Sequence, residues 1–425
     1  MTAVQAPPRA ALTRLAGLRH TSPGRLQLLL AVLLVLSVLT GLVAGLTARS
    51  AATGTADLRD RAQPLLAEAE TVWSSLADAD ATAAQAFITG GLEPPDLTRR
   101  YDERLAAAAT ALTSAARRVP EDSDGAEAIR VISTGLGDYT ALVATARALN
   151  RQGKPVGAAY LSTASQLNRE TLQPQAQALF QQARREAADG YTDSRSSWWL
   201  MLLLVVAVGL GLALVVTQAH LSRTTRRTFN VPLLTATGLT VLLALVCTGI
   251  FAHQRARLAS ADRDGSAPAE ALAEARNLVL RERADEALTL AARAGHGKLE
   301  DDFELLRQRF VVTGPEFDEV AVLMTTAKQQ HDAYLAIHDK IRDLDDNGDY
   351  EGAVKLAVDG ETTATFDGLT AVLGEAISDR RAAFDDEVRS AGRGLGALSV
   401  LGPLLALAIG VCAVAGLRAR LEEYR

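Results

Sequence analysis

The sequence predicts an all-α integral membrane protein, and three observations support this class. Four stretches are free of acidic and basic residues and reach the ~20 residues that cross ~30 Å of hydrocarbon. Apolar residues make up 48% of the 425 residues and aromatic residues only 4%, so Ala, Leu and Val dominate, as they do in long helices. Between the apolar stretches, apolar residues recur at intervals of three and four, which is the period of an amphipathic helix.

The predicted spans are residues 26–48, 197–218, 232–252 and 395–416, and short basic segments orient them. Arginines without any acidic residue occur before the first span (1–25) and after the second (219–231). Because basic residues favour the cytosolic side, both segments and the tail 417–425 are predicted to be cytosolic. We therefore predict a multi-pass protein of the plasma membrane with cytosolic N- and C-termini.

The two long segments, 49–196 and 253–394, are predicted to be extracytoplasmic four-helix modules. Gly- and Pro-rich breaks divide each segment into four helices. The apolar stripes that indicate bundle seams are Leu58, Leu65, Ala69, Val72, Leu76, Ala79, Ala83 and Phe87, then Ile129, Ile132, Leu136, Tyr139, Val143, Ala146 and Leu149, and in the second module Val320, Leu323, Ala327, Gln330, Tyr334, Ile337, Ile341 and Leu344.

The two halves of the chain are predicted to be a parallel tandem repeat. Aligning Tyr139 with Tyr334 places a similar turn and helix start opposite each other, namely Gly153, Gly157, Ala158 and Leu161 against Gly348, Gly352, Ala353 and Leu356. Each half has two spans around one module, so the halves have the same orientation. The chain would then be a fused dimer of a two-span receptor.

Motifs for chemistry are weak in this sequence. It has no nucleophile elbow, phosphate loop or kinase signature, and the cytosolic segments are too short to fold alone, so we predict no enzyme activity, catalytic residue, cofactor or metal. His331 and His338, seven residues apart, would lie ~10 Å apart beside the seam, too far to share a metal. The acidic cluster from Glu300 to Glu304 is expected on the surface. The net charge of −6 argues against nucleic acid as a partner.

The cytosolic loop between the second and third spans has the strongest candidate site. Arg223, Arg226 and Arg227 are candidate residues for binding a cytosolic partner, and Thr224, Thr225 and Thr228 are candidate phosphoacceptors, since phosphate there would change the local charge. The alternative is an orienting charge cluster that also contacts anionic lipid. The sequence does not identify ligand-binding residues.

The predicted modules resemble the four-helix sensor domains of chemoreceptors. The chain as a whole resembles the actinobacterial GlnX-type four-span membrane proteins, through its topology and the runs ADADATAAQAFITGG (77–91) and RRYDERLAAA (99–108). That resemblance implies a signal relay between a periplasmic amino-acid-binding lipoprotein and a cytosolic serine/threonine kinase, with the lipid bilayer as the third partner. A structural or scaffolding envelope protein and an accessory subunit of a transporter remain as alternatives.

Overall fold

The computed structural model describes residues 22–195, 198–225, 230–293, 295, 297–312 and 320–421. Within these ranges the chain is almost wholly helical and has no strand, which confirms the all-α class. The described residues form two compact units. The membrane unit consists of the residues up to Ala56, Thr192–Arg257 and the residues from Arg389 onward, and the bundle unit consists of Asp57–Tyr191 and Leu258–Val388.

The helices of the described chain follow one another with few breaks. In order they are α1 (Ser22–Asp57), the π-turn π1 (Leu58–Ala62), α2 (Gln63–Ile88), α3 (Pro95–Ala116), α4 (Asp124–Arg151), α5 (Val156–Leu167), π2 (Asn168–Leu172), α6 (Gln173–Arg195), α7 (Trp198–Thr225), α8 (Val231–Ser260), π3 (Ala261–Ser266), α9 (Ala267–Ala292), α10 (Lys298–Val312), α11 (Ala321–Asp346), α12 (Tyr350–Ala357), α13 (Gly360–Ala391) and α14 (Leu395–Leu421).

The membrane unit contains the apolar parts of α1, α7, α8 and α14. These four helices are long and apolar enough to cross a membrane, as predicted, and they fit a multi-pass membrane protein. Many of their large apolar side chains are exposed, for example Val35 on α1 and Met201 on α7. An exposed apolar surface of this kind suits contact with lipid, since it would be costly in water.

Small residues allow α1 and α14 to approach closely inside the membrane unit. A Cβ atom added to Gly41 would lie 2.9 Å from Cβ of Ala406, and one added to Gly45 would lie 3.0 Å from Cγ of Pro403. Both distances are too short for an ordinary Cβ contact. The two glycines, four residues apart on one face of α1, are therefore required by this contact.

In the bundle unit, α2 and α9 lie at the centre and pack against each other. Helices α3 and α4 pack against α2, and α10 packs against α9, so each half surrounds its own first helix. Every residue from Val72 to Ile88 is buried, and so is every residue from Glu282 to Leu290. A helix that is covered on all sides must also bury its polar residues, and this condition creates the site described below.

Each of the three π-turns precedes a proline inside a long helix. Pro64, Pro174 and Pro268 are each the second residue after the end of a π-turn. Proline has no N–H, and its ring clashes with the carbonyl group four residues earlier. A π-turn widens the helix by one residue at that point, so the helix continues past the proline without the clash.

The tandem repeat is visible in matching turns. Tyr139 on α4 and Tyr334 on α11 are both fully buried, and the second residue after each helix is a glycine with positive φ, 64° at Gly153 and 82° at Gly348. The same backbone hydrogen bond closes each turn, from Lys154 N to Leu149 O (3.0 Å) and from Asp349 N to Leu344 O (2.8 Å). These observations confirm the alignment made on the two tyrosines.

The halves differ in their fourth helix. In the first half, α5, π2 and α6 follow one another without a break from Val156 to Arg195. In the second half, the chain leaves the helix after Ala357, and a new helix begins at Gly360. This break was not predicted, and Thr362 stabilises it by donating a hydrogen bond from Oγ1 to the carbonyl oxygen of Leu356 (2.8 Å).

Candidate functional site

The residues predicted for partner binding are only partly described. Arg223 is exposed near the C-terminal end of α7. Thr224 and Thr225 belong to the last turn of α7, but their side chains lie outside the described set. Arg226, Arg227 and Thr228 lie outside the described residues altogether. The structure thus shows that Arg223 is accessible, and the role of the six residues in partner binding stays a prediction.

A second candidate site is a set of buried charged side chains along α2 and α9. Asp80 on α2 points into the first half, where it accepts hydrogen bonds from the Tyr139 hydroxyl (3.2 Å) and from Oγ of Ser165 (2.6 Å). Burial raises the pKa of Asp80, and the nearby Arg169 and the hydrogen bonds oppose that effect. Asp80 is thus an internal acceptor that joins α2, α4 and α5.

Asp78, two residues earlier on α2, forms ion pairs with a different helix. It is 2% exposed, and it lies 3.0 Å from Nε of Arg100 and 2.7 Å from Nε of Arg104, both on α3. The Nη1 atom of Arg100 also donates to Oδ1 of Asp367 on α13, at 2.7 Å. A single buried carboxylate therefore positions two guanidinium groups, one of which reaches the second half.

The second half contains two buried histidine–glutamate pairs. Nε2 of His331 lies 2.7 Å from Oε2 of Glu282, and Nδ1 of His338 lies 2.9 Å from Oε2 of Glu286. The His338 ring stacks on Phe303, with ring centroids 3.8 Å apart, and its Nε2 atom lies 3.3 Å from Oε1 of Glu300. The expectation that these histidines only flank the seam is wrong, because both are at most 2% exposed.

The hydrogen bonds to glutamate decide the charge of His338. Burial lowers its pKa, but the hydrogen bonds to Glu286 and Glu300 outweigh burial and raise the pKa to about 9. In the same cluster, burial opposes ionisation of Glu286, yet Arg283 and His338 keep its pKa below the usual value. His338 is therefore a cation in the folded protein at neutral pH, and Glu286 is its anion.

Ion pairs also connect the two halves. Arg169 of π2 contacts Asp285 of α9, and Arg184 of α6 lies 2.6 Å from Glu270 of α9. In the other direction, Arg381 of α13 lies 3.0 Å from Glu70 of α2. The buried members of these pairs, among them Asp285 and Glu70, belong to the central helices, and their arginines belong to the last helices of each half. The contact between the halves is thus charged as well as apolar.

An open cleft lies where α3 of the first half faces α13 of the second. Its volume is about 380 Å³, and the partly buried Arg276 of α9 is among its lining residues. Within the described part of the chain, the buried Nε of Arg276 has no hydrogen-bond partner. Burial lowers the pKa of Arg276, with Glu70 and Asp78 acting against that effect and Arg104 and Arg100 adding to it.

Sequence periodicity could not identify these buried charges. On α2 the predicted stripe was correct, but the residues between its members are buried too, so Asp78 and Asp80 were not expected in the interior. Glu300, predicted on the surface, is instead turned toward His338 and Arg342. The available signal was the unusual run of ionisable residues, RERADE (281–286), in the helix that follows Pro268 and corresponds to α2 in the other half.

Fold and site together define a helical membrane protein whose bundle unit is built from two related halves with charged residues at their contact. Residues 54–192, about a third of the chain, match the family described as actinobacterial sensor domain. The matched segment covers the first half of the bundle unit, from π1 to α6, and the match supports a sensing role in a protein of actinobacterial type. No curated protein and no solved structure matches the chain.

Proposed function

We propose that the protein is a non-enzymatic transmembrane sensor. It relays an extracytoplasmic nutrient signal, an amino acid presented by a periplasmic binding lipoprotein, to a cytosolic serine/threonine kinase. The observation that supports this proposal most directly is the match of residues 54–192 to a sensor domain in a chain with four apolar helices. In this proposal the bundle unit is extracytoplasmic, and the protein lies in the plasma membrane with both termini in the cytosol.

The charged contact between the halves supports a mechanism for signalling. A ligand shifts a conformational equilibrium only by its difference in affinity for the two states. The pairs Arg169–Asp285 and Arg381–Glu70 link the first and last helices of opposite halves, so a change at this contact alters the packing of helices from both halves. Arg223 and the neighbouring residues of the cytosolic loop would present that change to the kinase.

In-cell crosslinking followed by affinity purification and mass spectrometry tests this proposal. The tagged full chain is purified from cells with and without amino-acid supply. We expect a binding lipoprotein and a kinase, with a yield that depends on the amino acid. Recovery of wall or division proteins alone would favour a scaffold, and recovery of a permease or an ATPase would favour a transporter subunit.

A loop variant tests the cytosolic half of the relay. Changing Arg223, Arg226 and Arg227 to Ala should reduce kinase recovery and downstream phosphorylation at normal protein level. The matched control changes Arg49 and Arg255, which are close to the opposite ends of their apolar helices, to Ala. Equal kinase recovery from the loop variant and the control would contradict a docking role for the loop.

A further inference from the structure

The cleft between α3 and α13 has an uneven distribution of charge. At its less exposed inner end, Arg100, Arg104, Arg276 and Asp367 line the cleft, and Asp78 lies behind Arg100 and Arg104. Asp78 and Asp367 bind Arg100, and Asp78 also binds Arg104 through Nε, while Arg276 has no ion-pair partner among the described residues. The inner end therefore has one more guanidinium group than it has carboxylates.

The mouth of the cleft has the opposite balance. Arg99 lies there between Asp96 (2.8 Å) and Glu103 (3.9 Å), and all three side chains are well exposed. Two carboxylates thus share one guanidinium group at the mouth. Positive charge is in excess at the inner end and negative charge at the mouth. The cleft therefore has a permanent dipole along its depth.

Burial explains why the inner end is ready for an anion. An arginine without a partner in a partly buried site has lost solvation that no ion pair replaces. A carboxylate placed between Arg276 and Arg104 would restore that interaction through charge-assisted hydrogen bonds. The ion pair with Asp78, 2.7 Å from Nε, holds Arg104 near this position, so less side-chain entropy is lost on binding.

From this arrangement we propose that the cleft binds a small zwitterion of the α-amino-acid class directly. The ligand carboxylate would lie between Arg104 and Arg276, and its ammonium group would point to the mouth, toward Glu103. The volume of about 380 Å³ is in the range of small-molecule sites. The ligand would contact α3 of one half and both α9 and α13 of the other, so binding would act on the contact between the halves. This inference rests on the proposed sensing function for its biological meaning, but the binding itself does not depend on it.

Equilibrium dialysis of the purified full chain in micelles tests the proposal. The probe is an equimolar mixture of the twenty proteinogenic amino acids, and the retained compounds are quantified by mass spectrometry. We expect retention of at least one amino acid, and a loss of affinity of ~10-fold or more in Arg276→Met and in Arg104→Met, since each change removes a charge-assisted hydrogen bond. The matched control is Arg117→Met, an exposed arginine just beyond the end of α3 and outside the cleft.

Two further arms keep the test decisive. Propionate and propylamine, which have only one of the two charges, should compete at least ~10-fold more weakly than the retained amino acid. If an arginine variant fails to fold, Ala371→Trp, a change at an exposed residue of the cleft wall, should block retention by filling the cleft. No retained amino acid in the wild type, or equal retention by Ala371→Trp, would overturn the proposal.

The outcome is separable from that of the relay experiment. Binding without kinase recovery would support the cleft and contradict the relay. Kinase recovery that depends on amino acid, without any binding to the purified chain, would overturn the cleft and leave the binding lipoprotein as the source of the signal.

Discussion

His338 shows how a single buried side chain depends on neighbours from several helices. It lies on α11, its anionic partners Glu286 and Glu300 lie on α9 and α10, and Phe303 covers its ring. Buried charges of this kind are tolerated only when they are paired, and removing one partner costs more than the pair contributes. The cluster therefore makes the position of α11 relative to α9 sensitive to the proton on His338.

We predict that stability falls as pH rises from about 6.5 to 9. The folded-state pKa of His338, about 9, is above the ordinary value of 6.5, so the folded protein retains a proton that the unfolded chain loses in this range. The loss should be of the order of 3 kcal/mol, since one pKa unit corresponds to ~1.4 kcal/mol. Thermal unfolding of the full chain in micelles, followed by circular dichroism from pH 5 to 9.5, measures it.

Asp285 contributes to the pH dependence of stability at lower pH than His338, so the two effects can be measured separately. Burial raises its pKa from 3.8 to about 7 despite Arg169 and Arg281, so stability falls there as pH rises from about 4 to 7. Asp285→Asn should flatten the curve below pH 7 only. His338→Asn should flatten it above pH 7 only, and an unchanged slope above pH 7 in that variant would contradict the assignment.

At the scale of helices, the close approach of α1 and α14 inside the membrane unit can be measured at a pair of small residues. A Cβ atom built on Gly402 would lie 3.2 Å from Cβ of Ala44, close to the ~3.5–4.5 Å that a disulfide needs. This pair of positions therefore reports directly on the distance between the two helices.

We predict that Gly41→Ile separates α1 from α14. The background has Ala44→Cys and Gly402→Cys, with Cys247 and Cys412 changed to Ser. Oxidation should form the crosslink in this background, and Gly41→Ile should reduce its yield several-fold because the new side chain collides with Ala406. The control is Gly209→Ile on α7, where no other described atom lies within 4 Å of an added Cβ. Equal yields for the two variants would show that Gly41 is not needed for the contact.

The helices were predictable from sequence to different extents. The stripe of α4 is correct, since Ile129, Ile132, Tyr139 and Val143 are all buried. The stripe of α11 is partly wrong, because the column made of Met324, His331 and His338 is buried, whereas Gln330 and Ile337 lie at the edge. Histidine is polar, so a pattern based on hydrophobicity assigns such a column to the surface. Only the glutamates of α9, which are distant in sequence, place it inside.

At the scale of the whole molecule, the two halves depend on each other. Helices α2 and α9 are each covered on one side by their own half and on the other side by the other half. Without the other half, each of these two helices would be exposed on one side. The tandem arrangement could be predicted from the repeated spans and turns. The charged contact could not be predicted, because an ion pair between residues 169 and 285 has no signature in the sequence.

We predict that Arg169 and Asp285 are energetically coupled across the halves. Arg169→Gln alone should cost ~3 kcal/mol at pH 8, because it leaves an ionised, buried Asp285 without its closest cation. The double variant with Asp285→Asn should cost less than the sum of the single variants, and the difference should shrink at pH 6, where Asp285 is protonated. Additive effects at pH 8 would contradict coupling.

The exposed pair Arg99 and Asp96 provides a comparison for this cycle. These side chains are 66% and 83% exposed, so their coupling should not exceed ~1 kcal/mol at either pH. Thermal unfolding of all variants under the same micelle conditions gives both coupling energies.

The duplication inside one chain also affects how the molecule can evolve. In a dimer of identical chains, every mutation at the contact is present twice, and both copies must tolerate it. By the alignment that pairs Tyr139 with Tyr334, the buried Val143 of the first half is the counterpart of the buried His338 of the second, so a mutation at one of these positions leaves the other intact. Each half can thus acquire its own buried ionisable groups, as the second half has with His338, while the packing of α2 against α9 is kept.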